Sequence, residues 1–84
     1  MTAAPPVVLY SRTACHLCEE ARTVIEGVRR RVDFPFREIL IDGDDGLELE
    51  YGTRVPVVVV GGREEFEYHV DPRRLGILVG AAVP

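Results

Sequence analysis

Lysine is absent from this chain: all ten basic residues are arginine. That removes any chemistry resting on a lysine Schiff base; the arginine bias itself reads as genome composition. Long apolar runs are missing too. No stretch approaches the roughly 18–20 residues that a spanning helix needs, so no membrane partner is expected. Repeats, linkers and low-complexity tracts are absent, and residues 1–84 read as a single domain. Excess positive charge is likewise lacking. The formal net charge of -4 weighs against nucleic acid or an anionic membrane surface as a partner. The start, Met1-Thr2-Ala3-Ala4-Pro5-Pro6, has no basic segment and runs at once into a strand pattern, so a signal peptide is not expected. The expected setting is cytoplasmic. Cysteine is scarce, with two in the chain, and in that setting a lone pair is more often catalytic or metal-binding than a structural staple.

What is present is organised around Ser11-Arg12-Thr13-Ala14-Cys15-His16-Leu17-Cys18. Both cysteines lie here, spaced Cys-x-x-Cys, between the apolar run Val7-Val8-Leu9-Tyr10 and a long helical pattern. Two residues three apart at a helix start lie within disulfide reach. Cys15 falls where free backbone N–H groups and the helix dipole stabilise a thiolate, while Cys18 sits one turn further in. One sulfur is then the nucleophile and the other resolves the mixed disulfide. Strand, Cys-x-x-Cys and helix together make a thioredoxin-like redox motif.

Val7 to Ser11 reads as a central strand, apolar on both faces. From Cys15 onward, Leu17, Ala21, Val24, Ile25, Val28 and Val32 mark one face of a helix, with Arg29-Arg30-Arg31 at its C-terminal end suiting the dipole. Phe34 to Ile41 is an edge strand, opened by Pro35. Asp42-Gly43-Asp44-Asp45-Gly46 is a turn and helix start; its acids lack the spacing of a calcium loop. Leu47 to Tyr51 forms a short helix ended by Gly52. Val57 to Val60 is a buried strand, Gly61-Gly62 a hairpin turn, and Glu64 to Val70 an edge strand with Phe66, Tyr68 and Val70 on one face. Asp71 is an N-cap with Pro72 at the first helical position, and the last helix runs from Arg73 to Val83 with Leu75, Leu78 and Val79 inward. The order is β-α-β-(α)-β-β-α, an α/β chain with a four-stranded mixed sheet flanked by helices.

That order, with Cys-x-x-Cys at the first strand–helix junction and Val55-Pro56 before a valine strand, resembles the minimal thioredoxin fold of the glutaredoxins over nearly the whole chain. Cys15-His16-Leu17-Cys18 followed by acids is similar to a group of small bacterial glutaredoxin-like proteins. The resemblance implies that Cys15 attacks and Cys18 resolves. It implies that Pro56 is a cis-proline facing them, with the Val55 backbone pairing with an extended substrate. Arg12, three residues before Cys15, matches a basic position that holds the thiolate or a glutathione carboxylate, and Asp71 matches the acid that grips the other end of glutathione. Two departures stand out. The Gly-Gly pair usual before that acid is replaced by His69 and Val70, whose side chains stand where close backbone approach is needed. His16 occupies the motif's first intervening position, where proline or glycine is usual, and is read as facing solvent; so is His69.

The function expected is therefore thiol–disulfide oxidoreduction, without a bound cofactor, by a monomer. Electrons would come from glutathione or a thioredoxin-type system, and the partner would be a disulfide-bearing protein or a low-molecular-weight thiol. One alternative is a non-catalytic thioredoxin-fold binding module whose thiols stay idle. Another is a metal or iron–sulfur site completed by a second chain. Zinc needs four ligands, and His16 and His69 join the cysteines at no recognised spacing.

Overall fold

The computed structural model of the protein describes residues 4–80. In chain order its elements are β1 (Val7–Ser11), α1 (His16–Arg29), β2 (Phe36–Leu40), α2 (Asp45–Tyr51), β3 (Val57–Val60), β4 (Arg63–Glu67) and α3 (Pro72–Leu78). The four strands form one mixed sheet in the order β2-β1-β3-β4. β1 pairs parallel with β2 across the α1 crossover, and antiparallel with β3. The α/β architecture expected from the pattern is therefore present.

Burial alternates along β1. Val7, Leu9 and Ser11 are buried, while Val8 and Tyr10 are half-buried on the other face. Val7 and Leu9 meet Val58 and Val60 of β3, Phe66 of β4, and Ala21, Ile25 and Val28 of α1 in one core that also takes Phe34, Leu75 and Val79. Tyr10 points the opposite way and stacks on Tyr51 of α2, with ring centroids 4.1 Å apart. None of α2's own residues is fully buried, and Leu49 projects outward. Packing contributes little to holding this helix. Its start is fixed instead by the side chain of Asp44, which accepts from the Leu47 N–H at 3.0 Å.

Several boundaries differ from the pattern, each for a local reason. The buried stripe of α1 is Cys18, Ala21, Ile25 and Val28, at steps of three and four, with Leu17 and Val24 only flanking it. The helix stops at Arg29. Val32 lies beyond it, in a tightened end where its N–H still bonds the Val28 carbonyl at 3.1 Å, and it packs on the core from there. In β2 pairing begins only after Pro35, which has no N–H to give but accepts from the Val7 N–H at 2.8 Å. Phe34 and Ile41 are buried outside the paired segment.

The largest departure is at the end of β4. A register shift between Val58 and Val59 sets Glu64 and Phe66 opposite them, leaving Glu65 as the extra residue of a bulge. The strand then ends at Glu67, because Tyr68 takes a left-handed backbone with φ 67°. Alternation is lost there: Phe66 and Val70 are buried and Tyr68 is not. The hairpin itself is as expected. Gly61 and Gly62 have φ of 59° and 86°, the double left-handed turn that glycine permits. α3 begins with Asp71 accepting from the Arg73 N–H at 3.0 Å and Pro72 at its first position, as expected. It closes on Gly80 with φ 94°, and the last expected turn, residues 81–83, lies outside the described residues, as do Met1 to Ala3.

Candidate functional site around the cysteine pair

The loop from β1 to α1 carries the motif. Ala14 turns it with a left-handed φ of 54°, which delivers Cys15 to the N-cap of α1 in extended conformation. There the Cys15 sulfur accepts from the Cys18 N–H at 3.2 Å, one of the donors that a helix start leaves free. The Cys15 and Cys18 sulfurs are at disulfide distance, with Cα atoms 5.2 Å apart. The two are not equivalent. Cys18 is 0% exposed, whereas Cys15 is half-buried and opens to a cleft.

Both shoulders of the loop are tied down. Thr13 bonds Asp42 twice, through its N–H at 3.1 Å and through its hydroxyl. That hydroxyl is the main reason the Asp42 carboxyl is held below its ordinary range. On the other side, the buried Ser11 hydroxyl donates to Glu38 Oε2 at 2.5 Å, and Arg22 of α1 grips the same carboxylate with Nε at 2.7 Å and Nη2 at 2.5 Å. These bonds, from Arg22 first and Ser11 after, hold the Glu38 carboxyl below its usual value against the opposing effect of burial.

A folded-state value below the unfolded one means that the ionised form is favoured by folding. The stabilisation is complete above about pH 4.5, the ordinary value, and is lost as pH falls from there through the depressed folded value. Glu64, held down by Arg54, acts in the same direction. Denaturant midpoints are therefore expected to drop as pH falls below the ordinary carboxylate value of about 4.5. Glu38→Gln should start lower and fall less steeply; an unaltered acid slope would show that Glu38 carries none of it.

The cleft beside Cys15, about 380 Å³ in volume, is lined by Arg12, Thr13, Ala14, Glu19, Arg22, Glu38 and Leu40 as well. Of the residues singled out in the sequence, Arg12 is thus brought together with Cys15. It is not free, however. Its Nη1 and Nη2 donate to the two oxygens of Glu48 at 2.9 and 2.6 Å, and Nη2 also reaches the Gly52 carbonyl at 3.0 Å.

Val55, Pro56 and Asp71 do not line this cleft. The Val55–Pro56 peptide is cis and Pro56 is buried. The Val55 N–H is already spent on the Tyr51 carbonyl at 3.1 Å. Next to it, Arg54 binds Glu64 at 2.8 Å and Glu67 at 2.7 Å and lies over the Tyr51 ring, while the Tyr68 hydroxyl donates to the Thr53 carbonyl at 2.8 Å. Asp71 uses its carboxylate to cap α3. His16 is 82% exposed, with Nε2 2.8 Å from Glu20 on the next turn. Among the described residues no three His, Cys, Asp or Glu side chains cluster as metal ligands, and no helix is long and apolar enough to cross a membrane.

Arg22, Glu38 and Glu48 were not legible as site residues. The signal for the first two was indirect: Arg22 lies seven residues after Cys15, on the same side of α1, and parallel pairing sets Glu38 opposite Leu9.

Comparison with known proteins gives a consistent set of likenesses. The family described as Glutaredoxin-like domain (DUF836) matches residues 6–78. An uncharacterized protein of Mycobacterium tuberculosis is 33% identical over 76 residues, spanning 84% of this chain and 78% of its own length. The X-ray structure of a target protein from X. campestris superposes with a TM-score of 0.73 at 36% identity, covering 90% of this chain and 97% of that one. Protein Ne2328 from Nitrosomonas europaea gives 0.79 at 30% identity, covering 94% and 95%. A thioredoxin from Halobacterium salinarum shares the fold, with a TM-score of 0.64 at 22% identity over 98% of this chain and 77% of its own.

Proposed function

The chain belongs to the glutaredoxin-like domain family, and from that membership together with the cysteine geometry we propose that it is a thiol–disulfide oxidoreductase. The observation that carries the reading is the asymmetry of the pair: a half-exposed Cys15 at the N-cap of α1, in contact with a fully buried Cys18. In the reduced protein the Cys15 thiolate attacks one sulfur of a substrate disulfide, and the other sulfur leaves as a thiol. Cys18 then attacks the Cys15 side of the mixed disulfide, releasing the second substrate thiol and closing the Cys15–Cys18 bond. Two electrons pass to the substrate. The pair is restored by a donor thiol, with no bound cofactor, and a reducing compartment such as the cytoplasm supplies one. The partner is a disulfide-bearing protein or a small thiol, met by a monomer. An extended substrate segment would pair with the Val55 carbonyl beside Pro56, since the Val55 N–H is spent.

Glutathione is a poor fit as donor. His69 and Val70 stand in place of the glycines that would let backbone approach its charged end, Asp71 is engaged as a cap, and Arg12 is held by Glu48. A lost hydrogen bond to a charged group costs about 1.5–3 kcal/mol, roughly 10- to 150-fold in affinity. Stopped-flow reduction of the oxidised protein, at matched driving force, is expected to be slow with glutathione and faster with a protein dithiol or with thioredoxin reductase and NADPH. Saturable, rapid reduction by sub-millimolar glutathione would contradict this. Reduction by no donor, with no turnover of a disulfide substrate, would leave the idle-thiol binding module as the reading.

A further inference from the structure

Two guanidiniums line the Cys15 cleft, and the chain's own carboxylates have claimed both. Glu48 fills the fork of Arg12 with two hydrogen bonds, and Glu38 fills that of Arg22. A guanidinium whose charge is already paired in this bidentate way attracts a second carboxylate less strongly. Two further acids belong to the same surroundings, Glu19 in the cleft lining and Asp42 bonded to Thr13. Four carboxylates thus face two arginines. The rest of the lining is neutral (Thr13, Ala14) or apolar, with the exposed side chain of Leu40. Among the described residues, an anionic thiol entering here meets like charge and no unpaired arginine, while a neutral or basic group meets neither obstacle.

Of the two carboxylates that hold an arginine of the cleft, Glu48 is the one whose partner lies nearer Cys15 in the chain. It belongs to α2, a helix with no fully buried residue, so core packing does not explain a glutamate at this place. Its carboxylate pairs with both terminal nitrogens of Arg12. We propose that Glu48 sets the specificity of the Cys15 cleft: by occupying Arg12, it turns away anionic thiols and reserves the site for disulfides in neutral or basic segments.

This rests on the disulfide-exchange reading above, and the test separates the two. The oxidised protein is mixed with cysteamine, 2-mercaptoethanol or 3-mercaptopropionate, which carry positive, no and negative charge beside the same reactive group. The thiolate attacks Cys15, the Cys15–Cys18 bond breaks, Cys18 leaves as thiolate and a mixed disulfide forms. A second thiolate attacks the small-molecule sulfur of that bond, yielding the symmetrical small disulfide and reduced Cys15. Acid quenching and mass measurement follow each species, with rates corrected for thiolate fraction and normalised to the neutral thiol.

The wild-type protein is expected to react about three- to tenfold faster with the cation than with the anion at low ionic strength. That preference should shrink in about 0.5 M salt. Glu48→Gln, of nearly unchanged shape, should lower the ratio about threefold or more, with circular dichroism confirming the fold. Asp33→Asn removes the same charge near the far end of α1 and should leave the ratio alone. A wild-type preference for the anionic thiol would overturn the proposal without any variant. So would a ratio unchanged by Glu48→Gln, or one shifted equally by Asp33→Asn. Failure of all three thiols, the neutral one included, sinks the exchange reading and this inference with it. Reduction by the neutral thiol with a ratio indifferent to charge sinks this inference alone.

Discussion

Replacing Cys15 with serine is expected to bring disulfide turnover down to the uncatalysed rate, whereas replacing Cys18 should stop the reaction halfway. The difference follows from where the two sulfurs sit. Cys15 is open to the cleft at the helix N-cap, and its sulfur already accepts the Cys18 N–H, a donor aimed at whatever negative charge develops there. A serine hydroxyl at that place is not ionised at neutral pH and cannot begin the exchange. Cys18 is enclosed by the core face of α1 and meets no substrate until a mixed disulfide forms on Cys15. Cys18→Ser should therefore accumulate that mixed disulfide as a stable adduct, one substrate per protein, visible by mass. Reactivity with an alkylating agent adds a second reading. Cys15 in the Cys18→Ser protein should become reactive at lower pH than Cys18 in the Cys15→Ser protein. Glu19 and Glu20 oppose the thiolate, although Glu20 is turned toward His16. An adduct that forms only when Cys15 is the residue removed would reverse the two roles.

The elements that were legible in the sequence are those whose residues answer to local rules. Val57 to Val60 is a strand because four β-branched residues in succession suit a buried pleated surface, and Gly61-Gly62 turns because no other residue pair takes two left-handed conformations so cheaply. Asp71-Pro72 caps a helix by side-chain chemistry that needs no tertiary partner. The Cys-x-x-Cys spacing belongs to the same kind. What was hidden depends on partners far away in the chain. Tyr68 fits the alternation of Phe66 and Val70, but its left-handed backbone ends the strand there, and its hydroxyl is drawn to the Thr53 carbonyl. Arg12 matched a basic position that holds the thiolate or a ligand carboxylate. Its carboxylate partner lies 36 residues on, in a helix with too little periodicity to reveal which side it presents. Glu38 is an ordinary acid in an edge strand until the parallel crossover brings Ser11 and Arg22 onto it. Charge pairing across the sheet, rather than hydrophobic pattern, is where the sequence was silent about the site.

The same deletion made at two leucines should have effects far apart, and the comparison tests the frame on which the motif hangs. Leu9 is 0% exposed in the middle of β1, between Glu38 of β2 and Val58 of β3, and belongs to the core cluster with Ile25 and Phe34. Leu49 is 91% exposed on α2. Truncation of a buried leucine to alanine loses its transfer free energy and leaves a cavity, together about 2–5 kcal/mol. At an exposed position the same change stays within about 0.5 kcal/mol, and alanine's helix propensity offsets part of that. A domain of this size has only about 5–10 kcal/mol to lose, and each kcal/mol moves the melting temperature by about 4–8 °C. Leu9→Ala is therefore expected to lower the melting temperature by at least about 10 °C, while Leu49→Ala moves it by at most about 4 °C. Guanidinium titrations with equal m-values would attribute the change to stability rather than to the unfolded chain. Two similar melting temperatures would mean that β1 is not the buried centre of the sheet. The loop that carries Arg12 and Cys15 would then have lost the rigid strand from which it projects.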